Sequence, residues 1–422
     1  MKSLLYLILL LPSMFLERDQ GVYFQAGVGF DKAMARAKLE HKFLFVSCYA
    51  VQDERYTAML KDVFAKENVG KYVNGKFISV NIQLDTLTAG NKTADVLRAA
   101  IFQTGFPAYL FFSPEGVLVH RGGGYKDADA FVKLAIEAQD PSRQYYVLKE
   151  RFEKGERNHA LVPYLLECAK ELKDSGFAKR LKKEYLGNYL ATLSRDRLYK
   201  KENITFLAEN VSTDNKLFSI FLKDAGRIDS IMGWNGYSQS VVDRVISTDE
   251  IDSELWRDNS ATDPLTNSPD WEDITRRIAG KFDRANADRI VINAKLKWYS
   301  SRQQWPDYCK AVVDKVEAYG PYGFEGAPED VKWNELAWDM FIHCDDEVIL
   351  KKALSWSDLS MKLSQLSIAG KYDTYANLLF KLGRRREAIA WEEKAVKLDP
   401  TSKDIRNTLE KMKKDLPTWR AQ

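Results

Sequence analysis

Cysteine and histidine are scarce in this chain of 422 residues, which contains four of each. The cysteines are Cys48, Cys168, Cys309 and Cys344, and the histidines are His41, His120, His159 and His343. A chain of this length can build an apolar core without disulfides, and no spacing suggests a metal site. We therefore expect surface or structural histidines, no metal and no cofactor.

A charge imbalance is also lacking, because 63 basic and 60 acidic residues leave a formal charge of +3. The lysines and arginines form no dense run interleaved with aromatic residues. Electrostatic binding of nucleic acid or of a membrane surface therefore has no support. The sequence shows no Ser-His-Asp elbow and no dinucleotide fingerprint. Its 45% hydrophobic residues indicate a soluble globular protein of two or three domains.

One apolar run stands at the N-terminus. Met1-Lys2 is followed by SLLYLILLLPSMF, about a dozen apolar residues, whereas a transmembrane helix needs roughly 20. The run is typical of a secretory signal over residues 1–16, and residues 15–20 lack a small-x-small cleavage site. A buried N-terminal helix or strand is the alternative. Export predicts a periplasmic or cell-envelope protein with no integral membrane span after the signal is removed.

Residues 21–139 alternate between strand-like and helix-like segments. The predicted strands are residues 22–25, 43–49, 77–82, 108–112 and 117–120, and the predicted helices are residues 30–39, 53–64, 94–102 and 129–138. The resulting order, β-α-β-α-β-α-β-β-α, predicts an α/β domain.

Two segments of this region resemble the thioredoxin family. Residues 43–64 read FLFVSCYAVQDERYTAMLKDVF, and residues 105–112 read GFPAYLFF. They are similar to the pattern FVDCYATWCGPCKxMxxEVF and the later G-[IYF]-P-T strand of envelope-type members. In this gapless alignment, Asp53 and Tyr56 stand where the family has its two redox cysteines. The resemblance implies a thioredoxin-like fold over residues 21–139 that lacks the C-x-x-C motif.

The loss of both cysteines bears directly on the chemistry. Thiol–disulfide exchange needs an attacking thiolate and a resolving thiol. Asp53 would instead cap the helix that it begins, since Asp is a favoured N-cap residue whose charge suits the helix dipole. A carboxylate poised for acid–base work beside Glu54 is the alternative, but no histidine or second acid across a cleft accompanies it.

Pro107 aligns with a proline that is cis in the family and whose neighbouring backbone pairs with a bound peptide. If the Phe106-Pro107 bond is cis, this peptide-binding edge survives without the thiols. The resemblance thus implies a binding site at Asp53, Tyr56, Phe106 and Pro107. The glycines at 122–124 follow a hairpin strand, which favours a bulge or turn over a phosphate-binding loop.

Cys48 is the thiol that lies within the thioredoxin-like motif. It falls near the end of the strand at residues 43–49, where alternation predicts a buried side chain. An atypical thiol–disulfide oxidoreductase that uses Cys48 as a lone thiol is the alternative function. That function needs a solvent-accessible thiol with a lowered pKa.

Strand patterns almost vanish beyond residue 140. Residues 140–328 carry helical segments with mostly short polar connectors, which is typical of stacked antiparallel helix pairs. The predicted helices are residues 145–154, 160–172, 178–191, 217–231, 238–246, 271–282, 287–299 and 308–319. In residues 329–416, Ala353 and Trp356 recur 35 residues later as Ala388 and Trp391. This spacing is close to the roughly 34 residues of tetratricopeptide repeats, so we predict a helical-repeat region. The first copy carries extra residues, which we place between its helices around residues 343–346.

These features together predict a function in binding. We expect an exported thioredoxin-like domain, redox-inactive, that acts with its helical repeats as a scaffold or binding module rather than as an enzyme. The partner would be a peptide or another protein and not nucleic acid.

Overall fold

The computed structural model describes residues 21–86, 92–101, 105–256, 269–323, 326–364 and 367–419. The predicted signal, residues 1–16, lies outside the described residues. The chain forms two compact units, Met1–Asn210 and Val211–Gln422. Each unit has apolar cores of its own.

A four-stranded sheet lies at the centre of the first unit. Its strands are β1 (Phe43–Tyr49), β2 (Phe77–Gln83), β3 (Ala108–Phe112) and β4 (Leu118–Gly123), in the spatial order β2-β1-β3-β4. β2 is parallel to β1, β3 is antiparallel to β1, and β4 is antiparallel to β3. Aromatic and β-branched residues dominate β1 to β3 and suit a sheet that is buried on both faces.

The segment at residues 22–25 does not form the predicted strand. In the described part of the chain it makes one bridge, between Phe24 and Ser79 of β2. The N–H of Gln25 donates to the carbonyl of Ser79 (3.0 Å), whereas the N–H of Val22 donates to the carbonyl of Phe64 (2.6 Å). The segment therefore bonds to two different elements, and no ladder extends along it.

Helices cover both faces of this sheet. They are α1 (Phe30–Leu39), α2 (Glu54–Met59), α3 (Glu67–Lys76), α4 (Lys92–Ile101) and α5 (Ala128–Glu137). A π-helical turn, Leu60–Phe64, continues α2. α3 escaped prediction because Gly70 and Gly75 lower its intrinsic helix propensity. The helix is stabilised instead by Val69 and Val73, which are buried in the core between the helix and the sheet.

Alternation along β1 separates two apolar cores. Leu44, Val46 and Cys48 pack with residues of α1 and α4. Phe45, on the opposite face, packs with residues of α2, α3 and α5, and Tyr49 adjoins the same core. The predicted burial of Cys48 is confirmed, with none of its surface exposed.

The glycines at 122 and 123 belong to β4, so the predicted bulge or turn at these two positions is wrong. A Cβ atom on Gly122 would lie 2.5 Å from Cδ2 of Leu134 in α5. Close packing of α5 on the sheet therefore requires the absence of a side chain at this position. Gly124, with φ of +71°, follows the strand in a left-handed conformation.

The remainder of the first unit is helical. It contains α6 (Tyr145–Glu153), α7 (Val162–Glu171), α8 (Ser175–Glu184), α9 (Arg195–Leu198) and α10 (Lys201–Asn210). The sequence patterns did not indicate α9 or α10. Asp174 caps α8 through a hydrogen bond from the N–H of Phe177, and its carboxylate also accepts from the hydroxyl of Tyr145 (2.8 Å) in α6. This carboxylate therefore fixes the start of α8 against α6.

Among its described residues, the second unit contains helices and no strand. Its helices are α11 (Ser219–Lys223), α12 (Ala225–Met232), α13 (Tyr237–Ser247), α14 (Ser253–Leu255), α15 (Trp271–Lys281), α16 (Arg284–Ser301), α17 (Trp305–Tyr319), α18 (Glu329–His343), α19 (Glu347–Leu363), α20 (Ala369–Lys381), α21 (Arg385–Leu398) and α22 (Lys403–Lys413). The single helix predicted over residues 217–231 is broken at Asp224, whose φ of −118° and ψ of 27° are not helical. None of the helices in the described ranges is long and apolar enough to span a membrane.

The repeat at the C-terminus corresponds to two helix pairs, α18 with α19 and α20 with α21. Both pairs have short connectors, residues 344–346 and 382–384. α18 and α19 contain 15 and 17 residues, whereas α20 and α21 contain 13 and 14. The extra residues of the first copy therefore lengthen its helices. The prediction that they lie between the helices, around residues 343–346, is wrong.

Candidate functional site

Asp53, which the sequence resemblance aligns with the first family cysteine, occupies the N-cap of α2. Its Oδ1 accepts hydrogen bonds from the backbone N–H of Arg55 (3.0 Å) and of Tyr56 (3.2 Å). Only 7% of the side chain is exposed, and Arg55 Nε lies 3.7 Å from Oδ1. Oδ2 is buried without a hydrogen-bond partner among the described residues. The predicted capping role is thus confirmed in geometry.

Tyr56, which the sequence resemblance aligns with the second family cysteine, lies in the first turn of α2. Its ring stacks on that of Tyr49, with centroids 4.0 Å apart and planes 8° from parallel. Only 6% of Tyr56 is exposed, and burial, followed by the nearby Tyr49, raises the pKa of its hydroxyl above the ordinary value. The side chain therefore fills apolar space at the end of β1 and offers no nucleophile.

Phe106 and Pro107 immediately precede β3, and the peptide bond between them is cis. The β1–β3 register pairs Cys48 with Ala108, which places Pro107 beside Tyr49. The carbonyl of Pro107 accepts a hydrogen bond from the N–H of Gly124 (2.8 Å). Pro107 is buried, whereas Phe106 is half-buried and packs against the core of α1 and α4.

Tyr109 connects these two parts of the site. Its hydroxyl donates to the carbonyl of Gly124 (2.9 Å), and its side chain is fully buried. Burial raises the pKa of Tyr109 above its ordinary range, and the carboxylate of Asp53 and the hydroxyl of Tyr56 add to the rise. Asp53, Tyr56 and Tyr109 therefore form one polar and aromatic cluster beside the Pro107 turn. Tyr49 and Tyr109 were not identified from the sequence, because their partnership depends on the register between β1 and β3.

Cys48 lies in β1, on the face that packs against α1 and α4. Burial raises the pKa of its thiol to about 12, so almost no thiolate forms at neutral pH. The alternative of a lone reactive thiol requires the opposite environment. No cluster of three His, Cys, Asp or Glu side chains in the described residues is arranged to hold a metal ion.

The comparison with protein families agrees with the four-stranded sheet and the helices that cover it. Residues 30–139 match the thioredoxin-like domain family. The predicted thioredoxin-like fold is therefore confirmed for residues 30–139, and a long all-helical region follows it. The bounds of 21–139 stay a prediction. The tetratricopeptide character of residues 329–416 stays a prediction.

Two solved structures are similar to part of the chain. DsbH oxidoreductase is 16% identical, covers 28% of this chain and 84% of its own length, and has a TM-score of 0.24. The solution structure of a proposed disulphide-isomerase from Bacteroides thetaiotaomicron is 23% identical, covers 33% of this chain and 98% of its own, and has a TM-score of 0.23. No curated protein matches the chain.

Proposed function

We propose that the thioredoxin-like domain binds an extended peptide segment of a protein partner and does not catalyse thiol–disulfide exchange. The observation that carries this proposal is the replacement of both family cysteines by side chains with structural roles. Asp53 caps α2, and Tyr56 packs on Tyr49. One similar solved protein is named an oxidoreductase and the other a proposed disulphide-isomerase. This site lacks the thiols for disulfide exchange.

The alternative thiol, Cys48, does not favour a redox function. Its surface is fully buried and its pKa is raised to about 12. A thiol in this state exposes neither a nucleophilic sulfur nor a leaving group to a substrate disulfide.

The binding edge would be the backbone at residues 105–106. Gly105 is exposed, and no backbone hydrogen bond joins Gly105 or Phe106 to another described residue. An extended peptide can pair with free backbone groups of this kind, while alternate side chains contact neighbouring apolar surface. Phe106, half-buried beside this backbone, would supply that surface. We further propose export through residues 1–16 and a second protein-binding surface on the helical repeats.

The redox part of the proposal is tested by the reduction of insulin with dithiothreitol. We expect insulin to be reduced at the same rate with the full chain present as with dithiothreitol alone. The double variant D53C/Y56C, which restores C-x-x-C in the same framework, is the positive control. Acceleration by the unmodified chain that C48S abolishes would replace this proposal with the lone-thiol oxidoreductase.

The binding part is tested with reduced, carboxymethylated α-lactalbumin, an unfolded polypeptide without free thiols. We expect F106K to weaken its binding about tenfold, equivalent to about 1.4 kcal/mol. V117K is the matched control, because Val117 is 58% exposed at the opposite end of β3. Both variants should keep the thermal transition of the original chain. Equal binding by F106K and V117K would show that the backbone at residues 105–106 is not the binding edge.

A further inference from the structure

Two of the four cysteines lie against each other in the second unit. Cys309 in α17 and Cys344 at the end of α18 belong to the same apolar cluster, with 0% and 3% of their surfaces exposed. Each thiol perturbs the pKa of the other, so the two sulfur atoms lie close together. Because helix packing creates this contact between residues far apart in sequence, the spacing of the cysteines gave no sign of it.

The two thiols differ in their surroundings. The neighbouring Cys309 thiol, together with the positive charge of Lys381, lowers the pKa of Cys344, whereas the Cys344 thiol and burial raise that of Cys309. Lys381 is held in place, since its ammonium group lies 2.9 Å from both the carbonyl of Phe341 and the carboxylate of Asp345. Only 5% of the Lys381 side chain is exposed. Cys344 is thus the thiol that ionises first.

Cys344 also lines a cavity, whereas Cys309 does not. The cavity has a volume of about 320 Å³, and its other lining residues include Trp305, Pro306, Lys310, His343 and Ile349. The imidazole of His343 packs on the Trp305 ring, with centroids 4.0 Å apart. A volume of this size admits a small molecule rather than a folded protein.

The wall that carries His343 is held by a carboxylate. Nδ1 of His343 lies 3.0 Å from Oδ1 of Asp339, and the hydroxyl of Tyr308 donates to Oδ2 of the same carboxylate (2.7 Å). These contacts join α17 to α18 next to the cysteine pair. The cavity therefore keeps its shape around Cys344 without any contribution from a disulfide.

We propose that Cys309 and Cys344 form a reversible dithiol–disulfide pair, in which Cys344 attacks a small disulfide from the cavity and Cys309 resolves the product. Cys344 thiolate attacks one sulfur of the oxidant, whose S–S bond breaks, and a mixed disulfide forms while one thiol leaves with a proton. Cys309 then loses its proton and attacks the sulfur of Cys344, which releases the second thiol. Two electrons pass from the cysteine pair to the low-molecular-weight disulfide.

The product would link α17 covalently to the residue that follows α18. A cross-link between residues 309 and 344 restricts the unfolded chain and so stabilises the helical unit in its oxidised form. The chain would then carry its redox-active thiols in the helical region and not in the thioredoxin-like domain. This inference uses residues of the second unit and does not depend on the proposed peptide binding.

The test uses the full-length reduced chain and cystamine, a small disulfide. After acid quenching and alkylation in denaturant, we expect the number of alkylated cysteines to fall from four to two. Peptide mapping should recover residues 309 and 344 as one disulfide-linked species, and dithiothreitol should restore four alkylated cysteines. Recovery of four alkylated cysteines after cystamine, or a disulfide that involves Cys48 or Cys168, would overturn the proposal.

Single variants assign the two roles. C309S should stop at a cysteamine adduct on Cys344, whereas C344S should leave Cys309 unmodified. C168S is the matched control and should form the disulfide as the original chain does. Native labelling of the unmodified chain with iodoacetamide, which requires no variant to fold, should modify Cys344 before Cys309. The reverse order, or an adduct on Cys309 in C344S, would contradict the assignment.

Discussion

At the scale of single residues, Asp53 shows how one position serves two different purposes in one framework. The start of a helix exposes N–H groups that need an acceptor, and it also favours negative charge. A thiolate at this place uses the helix terminus for chemistry, whereas the carboxylate of Asp53 uses it for structure by accepting from Arg55 and Tyr56. The donors at the start of this helix are therefore satisfied by a carboxylate and do not need a thiolate.

This role predicts a defined loss of stability. D53A removes the acceptor of two backbone donors, and we expect it to lower the free energy of unfolding of the first unit by about 1 kcal/mol. D53N keeps an oxygen acceptor at the cap and should stay within about 0.5 kcal/mol of the original chain. Native-state hydrogen exchange of peptides from residues 43–64 measures both. Equal protection in D53A and D53N would show that the cap contributes nothing.

The sequence reveals residue roles well where the cause is local. The cap at Asp53 depends on donors two and three residues away, and Cys48 lies in a short apolar strand whose central side chains are all buried. Tyr49 and Tyr109 are different, because their places follow from the register of β1 against β3 and from the cis turn at Pro107. The contact between Cys309 and Cys344 likewise depends on helix packing, which sequence spacing does not contain.

At the scale of elements, His120 in β4 joins the sheet to α6. Its Nδ1 accepts from the backbone N–H of Tyr145 (3.0 Å), one of the donors at the start of α6. Nε2 lies 4.0 Å from a carboxylate oxygen of Glu137 in α5. His120 is therefore a structural histidine, as the sequence analysis expected, with 2% of its surface exposed. Its role as a helix-start acceptor requires the neutral imidazole.

This requirement makes the first unit sensitive to acid. Burial, with a contribution from the charge of Lys126, lowers the pKa of His120 to about 4. The unfolded chain binds this proton near pH 6.5, so the stability from neutral His120 is complete above that pH and declines as pH falls toward 4. Between pH 7 and pH 5 we expect a loss of about 2 kcal/mol.

His120→Asn provides the test, since its side-chain oxygen can accept from Tyr145 but does not titrate. The variant should be less stable than the original chain at pH 7, because the smaller side chain leaves a cavity. Its stability should change less between pH 7 and pH 5. Hydrogen exchange of peptides that cover residues 118–123 reports this difference. Parallel pH profiles for the two proteins would assign the acid sensitivity to other groups.

The helices differ in how far the sequence predicts them. α16 and α17 have long apolar stripes and were predicted, whereas α3 carries two glycines and depends on the buried side chains of Val69 and Val73. α11 and α12 read as one helix, because nothing in the local pattern marks the break at Asp224. Packing against neighbours decides such segments, and single-sequence periodicity does not record it.

At the scale of the whole molecule, tryptophan is confined to one half of the chain. All ten tryptophans follow residue 210, so their fluorescence reports on the second unit alone. Trp333 and Trp356 pack within a cluster that also contains Val312 and Val316 of α17. This cluster lies on both sides of residue 328, where the sequence analysis placed a domain boundary.

The cluster predicts how fragments of the second unit behave. Fragment 211–422 should unfold in one cooperative transition, because it retains all helices that form the cluster. A fragment of residues 329–422 exposes Leu336, Met340 and Phe341, which belong to the same cluster as α17. Exposure of each side chain costs up to about 1.5–3 kcal/mol of the free energy of unfolding. We therefore expect red-shifted tryptophan emission and a lower midpoint in urea.

The matched control is a fragment of residues 305–422, which restores α17 (Trp305–Tyr319) and nothing before it. Its midpoint should lie closer to that of fragment 211–422, because Val312, Val313 and Val316 again cover the apolar face of α18. If fragment 329–422 instead unfolds at the midpoint of fragment 305–422, the residues after 328 form a domain of their own. A midpoint for fragment 305–422 close to that of fragment 211–422 would mean that the folding unit of the repeat begins at α17. The disulfide proposed between Cys309 and Cys344 would then join helices within one folding unit.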